Sequence, residues 1–184
     1  MKRILILGLV LILVLFSCDA IPRFWQPDLQ PVSTLPIEQQ NFETIKDIET
    51  YKQEIFRLAN LEREKLEIPL FKEGDAKLDR AANIRAREIV NRFEHIRLDG
   101  RDLSTILSDV GISNWKVFAE NLARNNVALH QPQDTIEQWM NSEGHRIAML
   151  HPDYIYLSVG YTEYNGQAYI VQLFLSLYEQ NIVF

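Results

Sequence analysis

Cysteine is almost missing from this chain: Cys18 is the only one in 184 residues. A lone thiol cannot close a disulfide within the molecule, so a stable fold must rest on its apolar core. A surplus of positive charge is missing too. Nineteen lysines and arginines face 25 aspartates and glutamates, a formal net charge of −6, which argues against a nucleic-acid binder. No segment recurs at the period of a solenoid. The dense zinc motif His-Glu-x-x-His is absent, as is the Gly-x-Ser-x-Gly turn of a strained serine nucleophile. Disorder throughout is excluded by a hydrophobic content of 47 %.

What is present begins with an apolar run. Lys2 and Arg3 precede thirteen apolar or glycine residues, Ile4 to Phe16, followed by Ser17 and Cys18. The run is shorter than the ~20 residues of a membrane-spanning helix and reads as a secretory signal, residues 1–17. Leu15-Phe16-Ser17-Cys18 resembles a bacterial lipobox, in which the cysteine is lipid-modified and becomes the new N-terminus. Residues 18–41 then hold four of the seven prolines, Pro22, Pro27, Pro31 and Pro36. Proline at that density keeps a chain extended and out of helices and central strands, so this stretch is expected to be a tether. With Lys2 and Arg3 removed the remainder is more acidic still. That disfavours electrostatic attachment to anionic lipid, and leaves the acyl group as the expected link to the membrane.

The folded domain is expected over residues 42–184. Ile48, Tyr51, Ile55, Leu58 and Ala59 recur at helical spacing within a first helix, about Glu43 to Leu66. A second helix, about Ala76 to Phe93, carries Leu78, Ala82, Ala86, Ile89, Val90 and Phe93 on one stripe. Its arginines, Arg80, Arg85, Arg87 and Arg92, read as a solvated face. A short helix follows from Leu103 to Val110, and another starts near Pro132, turning Ile136, Trp139 and Met140 inward. Ser142 is placed to cap a further helix ending before Pro152. Asn165-Gly166 sits between two runs of strand character, and "KVFAENLA" supplies a third strand or an edge. Tyr169, Val171, Leu173 and Leu175 face one way and Ile170 and Phe174 the other, so that strand is covered on both sides. Helices enough for two faces around late strands make an α+β domain.

Four polar residues stand beside apolar neighbours: His95 after the second helix, Glu120 in "FAENLA", and Ser142 and His145 in "QWMNSEGHRIAML". Each has an ordinary explanation alone, as a helix-end partner, a turn or a cap. In order along the chain they accompany Asn60-Leu61-Glu62-Arg63, Phe93-Glu94-His95, Ala119-Glu120-Asn121-Leu122-Ala123, Trp139 through Arg146, Val159-Gly160-Tyr161 and Val171-Gln172-Leu173-Phe174. This ordered set resembles the CAP superfamily of cysteine-rich secretory, antigen 5 and pathogenesis-related 1 proteins, in its bacterial SCP-like branch. The resemblance implies a three-layer α-β-α sandwich around a small antiparallel sheet. It also implies a central cleft built from two histidines and two acids. His95 and His145 match the histidines and Glu120 the first acid, while Ser142 stands where the second acid is usual.

Two imidazoles and a carboxylate are a ligand set for a divalent ion such as zinc, so His95, His145 and Glu120 are the metal candidates. The expected role is a non-enzymatic, lipid-anchored module of the bacterial cell envelope, facing outward. It is expected to bind a protein or an apolar lipid or sterol ligand through the cleft, and not nucleic acid. The alternative is a hydrolase, working through a metal-bound water or through Ser142, His145 and Glu120 as a triad.

Overall fold

The computed structural model describes residues 48–178. The expected signal segment, Cys18, the expected tether and the first residues of the expected opening helix lie outside the described residues. Helix α1 (Ile48–Glu64) buries Tyr51, Ile55 and Ala59, while Ile48, expected on the same face, is exposed. Arg63 continues their four-residue spacing and is buried as well. The chain then forms β1 (Lys72–Glu73) and α2 (Ala76–Asn91). Asp75 caps α2 by accepting the backbone N–H groups of Lys77 and Leu78, two donors that the first helical turn leaves open. Next come α3 (Thr105–Asp109), β2 (Trp115–Asn126), α4 (Pro132–Asn141), α5 (Glu143–Leu150), β3 (Tyr156–Tyr164) and β4 (Gln167–Leu177).

The four strands form one sheet in the order β1-β3-β4-β2. The β3–β4 hairpin turns at Asn165 and Gly166, both with positive φ, as a two-residue turn of this kind requires. β2 pairs antiparallel with β4 and forms the sheet's edge. The sheet is not wholly antiparallel, because the two-residue β1 runs parallel to β3.

β4 separates two cores. Tyr169, Val171, Leu173 and Leu175 pack with Leu78, Ala82, Ala86 and Ile89 of α2 and with Ile106 and Leu107 of α3. Ala168, Ile170 and Phe174 pack on the other side with Tyr51, Ile55 and Ala59 of α1 and with Ile136, Trp139 and Met149 of α4 and α5. The alternation follows from the two-residue period of a strand, and it produces helix–sheet–helix layering. Gly160 permits the α2 contact: a Cβ there would sit 2.0 Å from the Ala82 carbonyl oxygen. The expected stripe of α2 is correct at Leu78, Ala82, Ala86 and Ile89, but Phe93 is exposed beyond the helix end.

Arg63 fastens the lower layer. Its guanidinium donates to the carbonyls of Pro69, Met149, His151 and Tyr154 and stacks 3.8 Å from the ring centre of Phe71. Burial lowers its pKa to about 10. Asn60 completes the lock by exchanging two hydrogen bonds with the backbone of Phe71. Among the described residues no helix is long and apolar enough to cross a membrane.

Candidate functional site

The block Ala119-Glu120-Asn121 lies on the edge strand, where successive side chains point to opposite faces. Glu120 and Leu122 face the α2 layer, and Asn121 and Ala123 face α4 and α5. Two adjacent residues therefore reach two separate layers, and each holds one of the sequence-predicted histidines.

On the α2 side, Glu120 is buried and is gripped by Arg85. The guanidinium Nε donates to Oε2 at 3.0 Å and Nη2 donates to Oε1 at 2.9 Å. The same Arg85 donates to Glu88 at 2.8 Å and to the Glu94 carbonyl at 2.9 Å. This corrects the solvated-face reading of the α2 arginines: Arg85 has no exposed surface. His95 places Nδ1 3.1 Å from Glu120 Oε1. Toward a carboxylate oxygen His95 Nδ1 acts as the donor. The bond to Glu120 raises the His95 pKa above its ordinary value, with desolvation opposing.

The loop that carries His95 is fastened by charge. Arg97, buried, donates to both carboxylate oxygens of Glu88 and to Asp109 at 2.9 Å. Arg101 adds two bonds to Asp109, and these guanidinium contacts hold the Asp109 pKa down at about 2. The loop therefore runs from Arg85 to α3 through alternating charges.

On the other side, Asn121 donates to the carbonyl of His145 at 3.1 Å and to Gln172 Oε1 at 3.1 Å. The Trp139 indole donates to the Leu122 carbonyl at 3.0 Å, and Asn125 donates to Thr135 Oγ1 at 2.9 Å. These bonds set the α4–α5 corner against β2. His145 sits on the first turn of α5, with Nδ1 buried and unpartnered. Burial lowers its pKa, and the nearby His95 charge lowers it further. His95 thus stands on the α2 side of β2 and His145 on the α4–α5 side.

A hollow of about 420 Å³ opens beside His145. Phe93, Leu122 and Ala123 give it an apolar surface, and Arg124, Gln138, Ser142 and His145 give it a polar one. Of the four predicted site residues, His95 and Glu120 share a hydrogen bond on the α2 side of β2, and Ser142 and His145 line the hollow. Ser142 occupies the N-cap position of α5 but makes no capping bond with its side chain.

The chemistry expected of these residues needs correction in two places. Glu120 has one oxygen bound by Arg85 alone and the other shared between Arg85 and His95, which removes it from a metal's reach. Among the described residues no group of three His, Cys, Asp or Glu side chains is arranged to hold an ion. The three-ligand set His95, His145 and Glu120 does not fit zinc in this arrangement. The triad does not form either: no hydrogen bond joins Ser142 Oγ to His145 among the described residues, and Glu120 orients His95 instead. Arg85, Arg97, Asn121 and Arg124 escaped the sequence reading as site residues. Arg85 had a visible signal, since it follows Leu78 and Ala82 at helical spacing and precedes Ile89 by four residues.

Residues 56–175 match the model of the cysteine-rich secretory protein family, CAP. The uncharacterised protein YkwD of Bacillus subtilis is 30 % identical over 119 residues, covering 63 % of this chain and 44 % of that protein. The uncharacterised membrane protein YlbC of the same organism is 37 % identical over 70 residues, 38 % of this chain and 19 % of that one. The chain thus spans less than half the length of these curated relatives. Among solved structures, an extracellular protein containing a SCP domain from Bacillus anthracis superimposes with a TM-score of 0.60 at 24 % identity, over 77 % of this chain and 45 % of that chain. An outer surface protein of Borrelia burgdorferi gives 0.62 at 18 % identity, over 71 % and 96 %. At these identities the superpositions establish the fold.

Proposed function

The chain belongs to the cysteine-rich secretory protein (CAP) family, and from that premise we propose that it is a lipid-anchored, extracytoplasmic binding module whose cleft takes up an apolar ligand. The observation that carries this reading is the hollow itself. Its size falls in the range of small-molecule sites, Phe93, Leu122 and Ala123 give its wall an apolar part, and Arg124, Gln138, Ser142 and His145 give it polar groups but no carboxylate. A general base suited to hydrolysis needs a free proton acceptor beside the nucleophile. Glu120 is instead neutralised by Arg85, and Ser142 stands apart from His145 in hydrogen bonding. Both features favour binding over catalysis.

Anchoring through Cys18 rests on the lipobox-like Leu15-Phe16-Ser17-Cys18 and on the proline-rich stretch behind it. An outward-facing position agrees with the description of the Bacillus anthracis and Borrelia burgdorferi proteins as extracellular and outer-surface.

Native mass spectrometry on the chain taken from its own membrane tests the reading in one experiment. The expected spectrum shows acyl mass on Cys18 and a co-purifying apolar molecule that is absent from a Ser142→Trp variant. A chain without acyl mass removes the anchor. A bare domain, together with peptide or ester turnover that disappears in both His95→Ala and His145→Ala, replaces the binding module with an enzyme.

A further inference from the structure

A second hollow, of about 320 Å³, lies at the end of the sheet away from the Asn165-Gly166 turn. It shares no lining residue with the hollow beside His145. Leu78 of α2, Ile112 after α3 and Leu175 of β4 belong to one core, with Tyr156 packed against it, so the floor is continuous and apolar. Leu177, two residues further along the same face of β4, extends that floor and is exposed.

The walls are fixed by backbone bonds. Gly111 and Ile112 donate to the carbonyls of Ser108 and Leu107, and Asn114 and Tyr178 exchange two bonds. Two charged side chains stand at the mouth, and they do not pair among the described residues. Asp75 and Lys77 are two positions apart at the start of α2, a spacing at which side chains do not face one another. Lys77 Nζ instead reaches the Gly111 carbonyl at 3.0 Å, which uses one of its three protons. Asp75 Oδ1 accepts from the N–H groups of Lys77 and Leu78, which closes those two donors to a ligand. Its Oδ2 has no partner among the described residues. The mouth therefore offers one available cation and one available anion above an apolar floor.

We propose that this hollow binds a free apolar α-amino acid as its zwitterion. The carboxylate accepts from Lys77, the ammonium donates to Asp75, and the apolar side chain lies on Ile112, Leu175 and Leu177. Hydrogen bonds between opposite charges are about twice as strong as neutral ones, and each ligand charge here meets its opposite. A volume of about 320 Å³ stands at the small end of ligand pockets, which suits one amino acid and not a longer peptide. The site is separate from the cleft beside His145, and its occupation does not depend on what that cleft binds. Leucine carries all three features. Leucinamide lacks the carboxylate, N-acetylleucine lacks the ammonium, and glycine lacks the side chain.

Isothermal titration of the full-length chain with these four molecules reads each contact in turn. Leucine is expected to bind about tenfold more tightly than each of the other three, the effect of one lost contact at a partly solvated site. Lys77→Gln is expected to bring leucine down to the level of leucinamide and to leave leucinamide unchanged. Asp75→Asn keeps a capping side chain and is expected to bring leucine down to the level of N-acetylleucine. Both residues are exposed, so these variants keep the fold. Ser142→Trp, which fills the other hollow, is expected to leave leucine binding unchanged. No binding of leucine by the unaltered chain, or binding equal to that of any of the other three molecules, overturns the proposal. Leucine binding that survives both Lys77→Gln and Asp75→Asn undiminished, or that is lost in Ser142→Trp, overturns it by placing the molecule elsewhere.

Discussion

Replacing Arg85 by methionine is the sharpest perturbation of this molecule. The substitution removes both bonds to Glu120, the bond to Glu88 and the bond to the Glu94 carbonyl. Glu88 is little affected, because Arg97 still reaches its carboxylate at 2.6 Å. Glu120 is not so placed. Its side chain is 1 % exposed, and His95, 64 % exposed, is its one remaining partner. Removing one member of a buried ion pair costs about 3–5 kcal/mol, since the other charge stays in a medium that solvates it poorly. For a domain of this size that corresponds to a fall in Tm of roughly 10–15 °C. Urea denaturation followed by tryptophan fluorescence measures the loss. Arg85→Met combined with Glu120→Leu is expected to recover most of it, because the uncompensated charge leaves with its partner. A single variant that loses under ~1 kcal/mol, or a double variant whose losses simply add, refutes the reasoning.

Three further outcomes follow from the geometry. An NMR titration is expected to put the His95 pKa above the usual histidine value and that of His145 below it, and Glu120→Gln is expected to lower the former. His95 is raised in the folded state, so its contribution to stability is full below the unfolded pKa and fades as pH rises through the folded one. His145 has the opposite sign: its folded pKa is depressed, so stability is lost as pH falls from the unfolded value through the folded one. Comparing His95→Ala and His145→Ala with the unaltered chain between pH 5 and 8 checks both directions. Arg63→Met leaves the carbonyls of Pro69, Met149, His151 and Tyr154 short of a donor and is expected to cost about 3 kcal/mol or more in urea denaturation. Gly160→Ala places a methyl group against the Ala82 carbonyl and is expected to cost about 1–3 kcal/mol by forcing α2 away from β3.

The layered architecture was legible because β4 alternates two apolar faces, Tyr169-Val171-Leu173-Leu175 and Ile170-Phe174, which only helices on both sides can cover. Asn165-Gly166 located the hairpin through backbone chemistry that few other residues satisfy. Family order then brought His95, Glu120 and His145 forward as a group. What remained hidden was the role of the arginines. Hydrophobic periodicity treats a cation as a solvent marker, yet Arg63 follows Tyr51, Ile55 and Ala59 at intervals of four and Arg85 sits on the stripe of Leu78 and Ile89. A cation in phase with an apolar stripe is buried when carbonyls or a carboxylate await it. Those partners, Glu120 for Arg85 and the carbonyls of Met149, His151 and Tyr154 for Arg63, are too distant in sequence for local spacing to disclose. The zinc and triad expectations failed for the same reason, because Glu120 was counted as free before Arg85 was known to hold it.

Observing the histidine rings during a titration with uncharged 1-octanol tests most directly whether the cleft is the binding site. His130, buried against Tyr51 with Nδ1 on the Asn126 carbonyl, is the internal reference. The ring resonances of His95 and His145 are predicted to move together and saturably while His130 stays still, with no movement in Ser142→Trp. Rings that remain stationary, or a response confined to His130, contradict the account.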